Sequence, residues 1–128
     1  MKITESELEI LQVLWQKGEA SVREINDALN QKREVGYTTT LKMMQLMFEK
    51  NMLTRDETQR THVYKARISE TDTQKTLTEK LLETAFGGSA LKLVMQALGN
   101  HKTSKEELNE IKTLIQKIEN RNGNDKLD

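Results

Sequence analysis

Leu8, Leu11, Leu14 and Trp15 recur at helical spacing and share one face. Ahead of them, Thr4-Glu5-Ser6-Glu7 has the form of a capping box, in which the Thr4 hydroxyl and the Glu7 carboxylate satisfy orphan amides at a helix start. Gly18, free to take a positive φ, is the natural stop. Ser21-Val22-Arg23-Glu24 repeats the signature, and Val22, Ile25 and Leu29 line a short second helix that fades into the polar stretch from Asn30 to Glu34. A third helix starts around Tyr37-Thr38-Thr39. Tyr37, Leu41, Met44 and Phe48 stand at i, i+4, i+7 and i+11 and are expected to face the core, with Thr38, Lys42, Gln45 and Glu49 on the opposite stripe and Thr39 beside them. Asn51 falls where a left-handed C-terminal cap is expected.

The period then changes from 3.6 to 2. Leu53-Thr54-Arg55 and His62-Val63-Tyr64-Lys65-Ala66 alternate in character around the polar stretch Asp56 to Thr61, which predicts a two-stranded hairpin. A lone hairpin is marginal in water, so it must lean on the helices. Three short helices followed by a hairpin make a winged helix-turn-helix. From Ser69 the pattern is helical again. Ser69 and Asp72 suit the start of a helix bearing Leu77, Leu81, Leu82, Ala85 and Phe86, which Gly87-Gly88 ends. Ser89 opens a shorter helix carrying Leu91, Val94, Met95 and Leu98. A third capping box, Ser104 to Glu107, precedes Leu108, Ile111, Ile115 and Ile118. The expected fold is mainly α: a winged-helix domain over 1–67, a three-helix dimerisation region over 68–120 and a disordered tail over 121–128.

Length and composition narrow the classes. The chain has 128 residues, room for one domain or a small domain with an appendage. No apolar run approaches the roughly 18 residues that span a bilayer, and Met1 leads straight into a helix pattern, so cytoplasm is the expected location without membrane insertion. With no cysteine, there is no disulfide framework or thiolate metal site. Basic and acidic residues number 20 each, so net charge does not argue for nucleic acid; local layout matters more. Arg60, Lys65 and Arg67 fall together with no acid among them.

The stripe Thr38, Thr39, Lys42 and Gln45 carries the short hydroxyl, amide and basic groups that reach base edges in the major groove. Arg60, His62 and Lys65 on the hairpin suit phosphate contacts, although basic residues also blunt strand edges. Neither histidine has further ligands at metal spacing, and no nucleophile–base pair or phosphate loop is present. The chain is therefore not expected to be an enzyme and is expected to need no cofactor. In the tail, Leu77, Leu81, Leu91, Val94, Leu108, Ile111, Ile115 and Ile118 present apolar faces that want a partner helix, for which a second copy is the expected source. Two readings follow: a DNA-binding repressor dimer, and a winged-helix module that binds protein and not DNA. A third keeps the DNA function but adds a small ligand between tail and winged domain.

The chain resembles the penicillinase and methicillin-resistance repressor family (the BlaI/MecI/CopY group). The resemblance is carried by Thr4 to Leu11 with Leu14-Trp15, Tyr37-Thr38-Thr39, Glu49 to Arg55, Val63-Tyr64 and Phe86-Gly87-Gly88-Ser89. It implies a homodimeric winged-helix repressor on a palindromic operator controlling a resistance or transporter operon. Thr38 to Gln45 would open the recognition helix, Arg60 to Tyr64 the wing, and residues from Ser69 the dimerisation region. In β-lactam-responsive members a membrane sensor with a metalloprotease domain triggers cleavage, and the corresponding pair here is Gln96-Ala97, where those members have Asn-Phe. Leu46-Met47 stands in place of the family's usual Arg-Leu, and Asn51 in place of Gly.

Overall fold

The computed structural model describes residues 2–127, with side chains through 123. Six helices and one hairpin follow in order: α1 (Glu5–Lys17), α2 (Val22–Leu29), α3 (Tyr37–Glu49), β1 (Leu53–Asp56), β2 (Val63–Ala66), α4 (Glu70–Phe86), α5 (Ala90–Gly99) and α6 (Lys105–Leu127). The chain divides into two compact units, residues 1–77 and 78–128. The first therefore takes in the opening turns of α4, ten residues beyond the expected boundary.

Both N-terminal capping boxes are formed. The Glu7 N–H donates to Thr4 Oγ1 at 3.2 Å and the Thr4 N–H to Glu7 Oε1 at 2.9 Å; Ser21 and Glu24 repeat the exchange at 3.2 and 3.0 Å. Gly18 ends α1 at φ 88°. After α3, Asn51 takes φ 65°, while the Met52 and Asn51 amides donate back to the carbonyls of Met47 and Phe48 at 2.9 and 3.0 Å. Those two bonds form the Schellman arrangement, which turns the chain from helix into wing.

The hairpin is antiparallel, pairing Leu53 with Ala66 and Arg55 with Tyr64. It is not left to stand alone. Ala20, in the loop between α1 and α2, exchanges both backbone hydrogen bonds with Tyr64, at 3.0 and 2.8 Å, adding a short third rung. The chain leaving the wing is held by the Trp15 indole, whose N–H donates to the Ile68 carbonyl at 3.0 Å. Ile10, Leu11, Leu14, Ile25, Met44, Met47, Met52, Leu53 and Tyr64 form the core beneath this frame.

One expectation is corrected at α3. Its inward stripe is Thr40, Met44 and Met47, with Leu41 and Phe48 only half-buried and Tyr37 41% exposed. At 100° per residue the helix is turned by roughly 60° from the predicted facing. The cause is a buried polar network: Asn26 Nδ2 donates to Thr40 Oγ1 at 2.9 Å and to the Val35 carbonyl at 3.0 Å. Asn30 closes the turn, donating to Val35 O at 2.9 Å and accepting from Val35 N–H at 3.1 Å. Placing Thr40 inward to meet Asn26 swings Tyr37 out.

In the second unit, Ser89 caps α5, and the Glu107 N–H donates to Ser104 Oγ at 3.0 Å at the start of α6. A second correction concerns α6, which continues past Asn120 to Leu127, through most of the segment expected as a disordered tail. Gly123 alone does not stop it, because a single glycine inside a helix costs only about 1 kcal/mol. Asp128 lies outside the described residues. Every buried residue among those described belongs to the first unit.

Two outcomes follow for stability. Asn26→Ala leaves the buried Thr40 hydroxyl without its donor and the Val35 carbonyl with Asn30 alone, and should cost about 1–3 kcal/mol in urea denaturation. Glu7 is nearly buried; burial raises its pKa, but the Thr4 amide, the Lys50 ammonium at 3.2 Å and the Thr4 hydroxyl outweigh it, and the net shift is downward. A depressed carboxylate stabilises the fold fully above its ordinary pKa of about 4.3, and the contribution is lost as pH falls through the lower folded value. Melting temperature against pH should therefore fall less steeply in the acid range for Glu7→Gln than for the wild type.

Candidate nucleic-acid interface

The start of α3 differs from the starts of α1 and α2. Its N-cap is Gly36, no side chain accepts from the first-turn amides, and no acidic residue lies in the first turn. The positive end of the helix is thus left open to an external anion. Thr38, Thr39, Lys42 and Gln45 all project to solvent from this helix, as does Glu49 at its far end.

Beside that stripe lies an open cavity of about 430 Å³ between the start of α2, the flank of α3 and the hairpin. Arg23, Arg55, Arg60 and His62 line it, and none of its lining residues is acidic. Aromatic rings hold two of these arginines. The Arg23 guanidinium stands 5.1 Å from the centre of the Tyr37 ring; that of Arg55 stands 4.1 Å from Phe48 and 5.9 Å from Tyr64. Stacking on rings holds a guanidinium in place while leaving its in-plane donors free for acceptors. Arg55 also pairs with Glu57 in the wing loop. The loop begins with Asp56, whose Oδ1 accepts from the Thr58 hydroxyl at 2.7 Å and the Thr58 N–H at 2.9 Å; these bonds keep its carboxyl below the usual range.

The structure brings Gln45, Arg60 and His62 to the cavity and leaves Thr38, Thr39 and Lys42 exposed on α3. Lys65 stands apart, facing Glu19 at 3.7 Å. The cavity adds Arg23 and Arg55 to the expected contacts. Arg23 is inconspicuous inside a capping box, and the rings around Arg55 come from positions that strand alternation does not connect.

Of the apolar tail residues, Leu77 falls in the first unit, half-buried against a separate pocket with Ile3 and Ile68. Leu81, Leu91, Val94, Leu108, Ile115 and Ile118 are exposed, and Ile111 is half-buried. Gln96 and Ala97 are exposed within α5, and Asn100 Nδ2 donates to Gln96 Oε1 at 2.8 Å. Among the described residues no cluster of His, Asp or Glu could hold a metal ion, and no helix is long and apolar enough to cross a membrane.

The model of the penicillinase repressor family matches residues 3–117. The chain is 25% identical over 120 residues to the penicillinase repressor of Bacillus licheniformis, covering 94% of each chain. It is 21% identical to that of Staphylococcus aureus, covering 92% of this chain and 94% of the other. To the methicillin resistance regulatory protein MecI of Mammaliicoccus sciuri it is 19% identical, covering 91% and 94%. Among solved structures, the solution structure of the DNA-binding domain of the repressor BlaI aligns with a TM-score of 0.50 at 25% identity, over 56% of this chain and 87% of that one. The alignment agrees with a winged-helix fold. The chain belongs to the penicillinase repressor family and is a DNA-binding transcriptional repressor, not an enzyme.

Proposed function

We propose that this protein is a cytoplasmic homodimer that occupies a palindromic operator and blocks transcription of a resistance or transporter operon. The observation that carries the DNA-contact reading is the pairing of the exposed Thr38-Thr39-Lys42-Gln45 stripe with the acid-free cavity beside it. The stripe enters the major groove, and the wing, with Arg60 and His62, grips the flanking phosphate backbone. Arg23, exposed on the same cavity with its guanidinium over the Tyr37 ring, extends that grip.

The dimer reading rests on a different observation. The second unit has no buried residue among those described, yet it exposes Leu91, Val94 and Met95 on α5 and Leu108, Leu114, Ile115 and Ile118 on α6. Apolar surface on that scale calls for a partner, and a second copy supplies a self-complementary one. A cut between Gln96 and Ala97, the induction route that the family resemblance suggests, would sever α6 from the rest of that surface. The half-sites would then be held by separate molecules.

Footprinting on the DNA upstream of the protein's own coding sequence tests the whole reading, and absence of any protected region at low salt would favour a protein-binding module instead. Lys42→Ala should weaken binding to that DNA and reduce the slope of log affinity against log salt by about one unit, in a titration between 50 and 200 mM salt. An unchanged slope would take Lys42 off the DNA. Leu91→Asp, at a residue 69% exposed, should yield a monomer in sedimentation with the first unit still folded. Its affinity for a two-half-site duplex should drop by roughly a hundredfold or more, because the second contact is no longer intramolecular.

A further inference from the structure

Leu46 is an outlier on its helix. Its neighbours Thr39, Lys42, Gln45 and Glu49 are exposed, Met43 one turn before it is half-buried, and Leu46 leaves 47% of its surface to solvent. The core has no need of it, since Met44 and Met47 are fully buried and fill the interior from the same helix. Leu46 stands one turn beyond Lys42 and two turns beyond Thr39, so these side chains form a column along the outer face. The groove-reading helix of a homeodomain makes base contacts at i, i+3, i+4 and i+7. Counted from Thr39, that span ends on Leu46.

An isobutyl group can neither donate nor accept a hydrogen bond. Pressed against the N7 and O6 of guanine, the amino groups of adenine or cytosine, or any other polar edge, it strips water and returns nothing. One major-groove feature matches it: the C5-methyl group of thymine, which is read by apolar contact. We propose that Leu46 is a specificity-determining residue that selects a thymine, through its C5-methyl group, at one position of the site each copy reads. The inference rests on α3 being the helix inserted in the groove. Covering one methyl group with the leucine side chain is worth about fourfold in affinity, and a base with a polar group at that place loses more.

Replacing thymine by deoxyuridine removes that methyl and alters nothing else. The probe is the duplex that the full-length wild-type chain selects from a random-sequence library, with each thymine replaced in turn by deoxyuridine. For the wild type, one replacement per half-site should lower affinity about fourfold. Leu46→Ala, an exposed position whose melting curve should match the wild type, should bind thymine and deoxyuridine duplexes equally at that position. A flat scan for the wild type, which needs no variant, overturns the inference while leaving DNA binding intact. The same loss in Leu46→Ala also overturns it, assigning the methyl contact to another side chain. Failure of the wild-type chain to select any duplex removes the groove reading and this inference together.

Discussion

The arrangement of the first unit depends on a single buried amide. Asn26 lies on α2 but makes its two donations to Val35 in the turn and to Thr40 on α3. A polar side chain in that position is tolerated only where its partners stand, so the angle and rotation of α3 are fixed more narrowly than packing of flexible methionines would fix them. Met44 and Met47 could fill the same space in several rotations of the helix. The amide admits one. The exposed stripe is therefore a consequence of a hydrogen bond on the opposite side of the same helix.

The same rotation explains how a chain of zero net charge presents a positive cavity. Turning α3 so that Thr40 points inward brings Tyr37 and the edge of Phe48 round to the side, where each ring lies beneath an arginine from a different element. The acids are elsewhere or engaged. Glu7 and Glu24 are used in helix caps, Glu9 is bound to Arg33 at 2.7 Å, and Glu57 is the partner of Arg55. Overall charge says little about binding when segregation of this kind is possible.

Local chemistry was legible in the sequence, and long-range geometry was not. The caps at Thr4, Ser21 and Ser89, the stop at Gly18 and the left-handed Asn51 each depend on residues within four or five positions and stand as expected, while Ser104 makes only the hydroxyl half of its expected capping box. Periodicity alone cannot set the rotation of α3, because Tyr37 and Met47 are both apolar and it does not rank them. What decides is a threonine finding an asparagine 14 positions away. The bond between Ala20 and Tyr64 and the rings around Arg55 are hidden for the same reason. Polar composition after Asn120 hides the length of α6, because it says little against a helix that has already begun.

The indole hydrogen bond at the exit of the wing has a practical corollary. Trp15 is the only tryptophan in the sequence, and it is half-buried with its N–H on the Ile68 carbonyl. Loss of that bond exposes the ring to water and shifts its fluorescence, whereas melting of residues 78–128 has no tryptophan to report it. The protein thus carries an intrinsic optical label on its reading head alone. Emission and far-ultraviolet ellipticity, which is dominated by helices throughout the chain, would trace different transitions if the two units unfold separately.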